Sequence, residues 1–473
     1  MLYTNPVYQA LAWSLILPFA AVNAALTARN SRLHTELMEN APPGITYRIP
    51  QGTRSWTSSS ASGSRVTTTG KKLKPVHVQK LHPVRNGRIN PRSAAVALGA
   101  HQRRLGEDGL GYENISSTNA YGTQYSTDAT WDGTPLRLLL DTGSSDTWAA
   151  QQNFTCQDFS GHTIVPSACG FASPQISGFK YGLTDPIEHM YIQYGDSELV
   201  AGPMGFSDVS VGNLTVKKQQ VCLVNRAYWF GNNMTSGLLG MAYPSLTNAY
   251  LGDKDEHSHG ENTVEYSPFF TSLVEQGQID PVFSIAIDRN ASTGVLALGG
   301  IPTGVSGLDR GRTVSLDMII TNLINDPDTA AEPSFYTIIP DGWYYDQTTN
   351  AKKYPYIVDS GTTLCYLPPK LAQQINQAFN PPGVYLWMYG SYFTACNARV
   401  VPVAIILNGI KFWFNPKDLI YRDVVDPMSG LCMTAIASGG TGPYILGDVF
   451  MQNALTIFDV GDAKMRFVPR IRY

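Results

Sequence analysis

Apolar and polar positions along the chain divide it into unlike stretches. Ala10–Val22 is a mostly apolar run of 13 residues, interrupted by Ser14 and Pro18. It falls short of the ~20 residues that a bilayer-spanning helix requires. Of the 16 residues Ser55–Gly70, 12 are Ser, Thr or Gly, too little apolar surface to offset the entropy of ordering them. Beyond residue 105 the pattern changes again. Val282–Asp288, Val295–Leu298 and Val400–Leu407 read as strands, and so do the apolar runs Leu138–Leu140 and Tyr356–Val358. Helical spacing is confined to Ser267–Gln276 and Leu371–Phe379. Such a balance predicts a strand-dominated body with a few short helices.

Composition agrees with that reading. Gly 43, Pro 30 and Tyr 25 favour turns and strands. Charged residues are 15% and apolar residues 43%, which excludes a disordered chain, a coiled coil and a polytopic membrane protein. A chain of 473 residues has room for two or three domains, at ~150 residues each.

Charge is distributed unevenly. Residues 25–104 carry 14 Lys and Arg against Glu36 and Glu39, a net of +12, whereas residues 105–473 carry 20 basic and 35 acidic residues, a net of −15. A basic head alone resembles a nucleic-acid arm. Joined to an acidic body it reads better as a segment that binds the body, and nucleic acid is not an expected partner.

The N-terminus carries signs of processing. Val22-Asn23-Ala24 places small residues before a cut after Ala24, as in a secretory signal peptide, although no Lys or Arg precedes the apolar run. Arg103-Arg104 lies where charge and composition both change, and is expected to be a cleavage site. The C-terminus lacks the apolar tail of a lipid-anchor signal. Asn114, Asn153, Asn213, Asn233 and Asn290 each begin an Asn-X-Ser/Thr sequon, all after Arg104. These signs predict 1–24 as signal peptide, 25–104 as basic propeptide and 105–473 as an exported body.

Six cysteines, Cys156, Cys169, Cys222, Cys365, Cys396 and Cys432, allow 15 pairings. None forms a CxxC or zinc-spaced cluster. His257 and His259 sit in an acid-rich stretch that reads as a solvated loop. No metal or other cofactor is expected. Residues Thr247–Glu265 read as a surface insertion.

One short pattern occurs twice. Leu138-Leu139-Leu140-Asp141-Thr142-Gly143-Ser144-Ser145 is matched by Tyr356-Ile357-Val358-Asp359-Ser360-Gly361-Thr362-Thr363, with the two aspartates 218 positions apart. An apolar-glycine element follows each copy. Ser236–Gly240 ends 99 positions after Asp141, and Tyr444–Gly447 ends 88 positions after Asp359. Two lobes with the same internal order are implied. A lone Asp-Thr-Gly is an ordinary strand-to-turn sequence; two copies with matching flanks are far more specific.

With Gly133-Thr134-Pro135 before the first motif, Trp148 after it, Tyr194-Gly195-Asp196 between the repeats and Gly447-Asp448-Val449-Phe450 at the end, the body resembles a pepsin-like aspartic endopeptidase from about Tyr121 to Pro469. The resemblance implies an all-β, bilobal fold with two pseudo-symmetric lobes, 105–299 and 300–473, around a central cleft. It implies Asp141 and Asp359 as the catalytic pair. Two carboxylates within hydrogen-bond reach cannot both ionise cheaply, so they share a proton and divide the roles of acid and base.

By the same resemblance, Thr142 and Ser360 cross-link the active loops, Gly143 and Gly361 let the backbone approach, and Ser144 and Thr362 orient the carboxylates. Tyr194, Gly195 and Asp196 match the flap, with Trp148 as the partner of Tyr194. Cys396–Cys432 and Cys156–Cys169 match family bridges, leaving Cys222 and Cys365 as buried thiols. The implied protein is a secreted, monomeric zymogen, extracellular or vacuolar, cleaving extended polypeptides and inhibited by its own propeptide. A catalytically inactive peptide- or protein-binding member of the same fold is the alternative.

Overall fold

The structure is a computed structural model. It describes residues 46–48, 77–87, 122–194, 198–253, 262–287, 294–302, 304–322 and 333–471. The expected signal peptide, the Ser/Thr/Gly-rich stretch, Arg103-Arg104, Gly195, Asp196, His257, His259, Asn114 and Asn290 lie outside the described residues.

The body is built from strands, as its sequence pattern predicts. Among the described residues a 16-stranded sheet is accompanied by one five-stranded, two four-stranded and one two-stranded sheet. The strand Thr134–Asp141 explains how an unbroken apolar run can obey a two-residue period. Leu138 and Leu140 point into the main core, and Leu139 points into a second cluster built on Trp148, Tyr194 and Trp229. Both faces are covered, so no polar alternation is needed. The expected helices are observed as Phe269–Glu275 and Pro369–Gln377. Among the described residues no helix is long and apolar enough to cross a membrane.

The repeat in the sequence is a repeat in topology. Leu138–Asp141 pairs parallel with Gly237–Gly240, and Tyr356–Val358 pairs parallel with Tyr444–Leu446. In each half an antiparallel strand then closes the far side, Thr147–Ala149 in one and Cys365–Tyr366 in the other. The glycine ending each second element is required by close approach. A Cβ on Gly240 would lie 2.4 Å from the carbonyl carbon of Ser145, and one on Gly447 would lie 2.2 Å from the carbonyl oxygen of Thr362.

Two described stretches of the basic head pair with strands of the body. His77–Gly87 is an 11-residue strand lying between Gly122–Trp131 and Gly294–Leu298, antiparallel to both. Upstream, Thr46–Arg48 pairs antiparallel with Ile320–Asn322, and Tyr47 is buried in the main core.

The segment after Thr247 does not begin as a surface insertion. Thr247, Asn248, Ala249 and Tyr250 are buried, and Ala249–Leu251 pairs with Glu188–Met190. The physical reason is a buried carboxylate, Asp146, which Asn248 satisfies through its backbone N–H at 3.0 Å and its side-chain amide at 2.8 Å.

Disulfides join Cys156 to Cys169 and Cys396 to Cys432, while Cys222 and Cys365 are buried and belong to neither bridge.

Candidate active site

Each motif aspartate ends a buried strand and is held by its own loop. Asp141 Oδ1 accepts the N–H of Gly143 at 2.9 Å, and Oδ2 accepts the hydroxyl of Ser144 at 2.6 Å. Asp359 repeats the pattern with the N–H of Gly361 at 2.8 Å and the hydroxyl of Thr362 at 2.5 Å. Both carboxyl groups are almost wholly buried, at 1% and 0% exposure. Their outward rotation is therefore restricted by two bonds each.

The two loops, 218 residues apart, are tied directly to each other. The N–H of Thr142 donates to Ser360 Oγ at 3.2 Å, and the N–H of Ser360 donates to Thr142 Oγ1 at 2.9 Å. The same two hydroxyls reach across to the opposite strands. Thr142 donates to the carbonyl of Val358 at 3.2 Å and Ser360 to that of Leu140 at 3.0 Å. This reciprocal cage brings the twin motifs into one centre. A small pocket bounded by Asp141, Ser360, Gly361, Gln124 and Tyr125 opens beside it.

Further bonds brace the loops from behind. Met241 N–H donates to the carbonyl of Asp141 at 2.8 Å, and Asp359 N–H donates to that of Leu446 at 3.1 Å. Tyr194 is buried, and its hydroxyl accepts Trp148 Nε1–H at 3.0 Å. The Trp229 ring stands edge-on to both, 5.5 Å from Tyr194 and 5.1 Å from Trp148. Phe171 stacks on Trp229 at 5.9 Å.

Sequence reasoning missed three buried acids around this centre. Asp146 is enclosed by Asn248 and by the hydroxyl of Tyr266 at 2.8 Å. Burial raises its carboxyl pKa, and the bonds from Asn248 and Tyr266 oppose that rise. Asp448 is fully buried, and neither carboxyl oxygen has a hydrogen-bond partner among the described residues. Burial, then the negative charge of Asp359 and of Asp141, push its pKa well above the usual carboxylate range. Glu198 is also fully buried, and its carboxylate accepts the N–H of Phe230 at 2.7 Å. Asp448 sits inside a quoted motif and Asp146 directly follows one, so position along the chain was a signal; burial was not readable there.

The sequence profile of the eukaryotic aspartyl protease family matches residues 125–470, and the chain belongs to that family. It is similar to a probable aspartic-type endopeptidase of Aspergillus fumigatus, with 33% identity over 81% of this chain and 85% of the relative. It is also similar to a penicillopepsin of Penicillium janthinellum, with 25% identity over 75% and 80% of the two chains, and to rhizopuspepsin of Rhizopus chinensis, with 26% identity over 71% and 76%.

Proposed function

We propose that the chain is an active endopeptidase that hydrolyses internal peptide bonds at acidic pH, with Asp141 and Asp359 as a catalytic dyad. The observation that carries this reading is the reciprocal bonding of Thr142 and Ser360, which unites two separately caged carboxyl groups. One carboxylate takes a proton from water, whose oxygen attacks the scissile carbonyl carbon. The other, protonated, gives its proton to the carbonyl oxygen. The resulting tetrahedral diol collapses as its nitrogen is protonated and the C–N bond breaks, leaving a carboxyl and an amino terminus. Ser144 and Thr362 keep the two carboxyl groups turned toward the reacting centre. Tyr194, fixed by Trp148, serves as the aromatic wall over an extended peptide.

Asp141→Asn and Asp359→Asn test the dyad. Asn keeps the shape and loses the proton, so each variant is expected to fold and to lose peptide hydrolysis by ~10²–10⁴-fold, the scale of acid–base catalysis. Retained hydrolysis in either purified variant contradicts the assignment. A peptide carrying a hydroxyl in place of the scissile carbonyl is expected to inhibit the wild type.

The basic head is proposed as an inhibitory propeptide of a secreted zymogen. Support comes from its strand His77–Gly87, paired on both sides inside the main sheet. Backbone pairing is insensitive to salt, whereas attraction between the +12 head and −15 body is screened over ~10 Å at ~0.1 M salt. After cleavage at Arg104, salt alone is expected to leave the head bound, and acid with salt to release it. Release by salt at neutral pH would leave charge as the whole attachment. Asn153, Asn213 and Asn233 are all exposed, which supports them as glycosylation sites in an exported protein.

A further inference from the structure

Glu198 immediately precedes the strand Leu199–Val211 and is fully buried. Its backbone carbonyl accepts the N–H of Tyr194 at 2.6 Å. Its carboxylate accepts the N–H of Phe230 at 2.7 Å. The residue before Phe230 is Trp229, whose ring packs against Tyr194 and Trp148. Glu198 thus joins two segments that meet on Tyr194, the hairpin carrying that residue and the stretch carrying Trp229.

Stability alone does not account for a glutamate at this position. Removing a carboxyl group from water costs several kcal/mol before any partner is gained, and its bond to the Phe230 N–H recovers part of that. A carboxylate bonded to a backbone N–H supplies direction instead. The bond fixes the Trp229-Phe230 segment relative to the base of the Tyr194 hairpin. Tyr194 is then located three ways: by Glu198 at its N–H, by Trp148 at its hydroxyl and by Trp229 against its ring.

We propose that Glu198 is a positioning residue for peptide hydrolysis, locking the Tyr194 hairpin to the Trp229-Phe230 segment so that the Tyr194 ring meets the extended substrate in one place. This rests on the reading of the chain as a peptidase whose substrate lies under Tyr194. Because the bond acts on substrate placement and does not touch the reacting atoms, its loss should weaken binding in ground and transition states alike. Such a loss raises KM and leaves kcat nearly unchanged.

The test uses the full chain, activated in acid, with kcat and KM measured on one peptide substrate. Glu198→Ala is expected to raise KM about tenfold with kcat within about twofold. Glu198→Gln keeps a carbonyl oxygen at the same reach and is expected to restore KM to within about twofold of wild type. Glu198→Asp keeps a carboxyl group one methylene short of Phe230 and is expected to behave like the alanine variant. If the alanine variant fails to fold, the Gln and Asp variants carry the comparison. Wild-type KM in Glu198→Ala or Glu198→Asp overturns the proposal, as does a Gln variant as impaired as the alanine one. Failure of the wild type itself to cleave peptides overturns the peptidase reading and the proposal with it. Normal wild-type cleavage with an unchanged Glu198→Ala removes only the positioning role.

Discussion

Asp141 and Asp359 are each held by the N–H of a glycine two residues on and a hydroxyl three residues on. Five positions after them the halves diverge: Asp146 stands on one side and Leu364 on the other, both buried. The reverse exchange follows the glycine of each second element, where Met241 in the first half corresponds to Asp448 in the second. Each half thus places one acid behind its catalytic loop, at a different position. Asp146 is satisfied by Asn248 and Tyr266, whereas Asp448 feels the charge of Asp359 and Asp141 and has no hydrogen-bond partner among the described residues. The repeat is kept where atoms touch the carboxyl groups and where backbones cross. Behind that layer, each half has its own solution.

The strictest shared feature should be the most costly to break. Gly240→Ala and Gly447→Ala each force a Cβ into backbone atoms that cannot step aside. Each is expected to lose at least about 3 kcal/mol, the upper range for overpacking. Denaturant unfolding of the purified variants checks this; a wild-type midpoint in either would mean the crossing is looser than the structure has it.

The two asymmetric acids should respond oppositely to the same substitution. Asp146→Asn turns an amide N–H₂ toward donors and is expected to destabilise by about 1–3 kcal/mol, the cost of buried unsatisfied groups. Asp448→Asn is expected to stabilise at neutral pH, because it removes a carboxyl that burial disfavours in its charged form. The raised folded pKa makes the native state bind more protons than the unfolded state. Stability from this group is fully present below the unfolded carboxyl pKa of about 3.9, and is lost as pH climbs from there through the folded value. Wild type should therefore lose stability as pH rises from about 4 by up to about 1.4 kcal/mol per unit from this residue, until its folded pKa is passed. Asp448→Asn should lose less. Equal slopes in the two proteins would remove Asp448 as a source of the pH dependence.

What the sequence disclosed follows the same division. The caged carboxyls and crossing glycines occur in runs of adjacent residues, so two copies made them legible. The acids behind them depend on partners far along the chain: Asp146 on Asn248, 102 residues on, and Glu198 on Phe230, 32 residues on. No local pattern announces such pairs. The strand His77–Gly87 was hidden for another reason. Its apolar Val78, Leu81 and Val84 recur every third residue, which fits neither a half-buried strand nor a helix. Its place comes from pairing with two neighbouring strands rather than from its own periodicity. The buried start of the 247–250 segment was misread because a polar Asn beside Thr looks like loop until Asp146 is found beneath it.

The central claim is that Asp141 and Asp359 work as one unit. A double-mutant cycle on peptide hydrolysis tests it most directly, using Asp141→Asn, Asp359→Asn and the combined variant at one acidic pH. Groups acting as a unit are strongly non-additive, so the double variant is predicted to be no slower than either single variant. A double variant slowed by the product of the two single losses would contradict the account and assign the carboxyl groups independent roles.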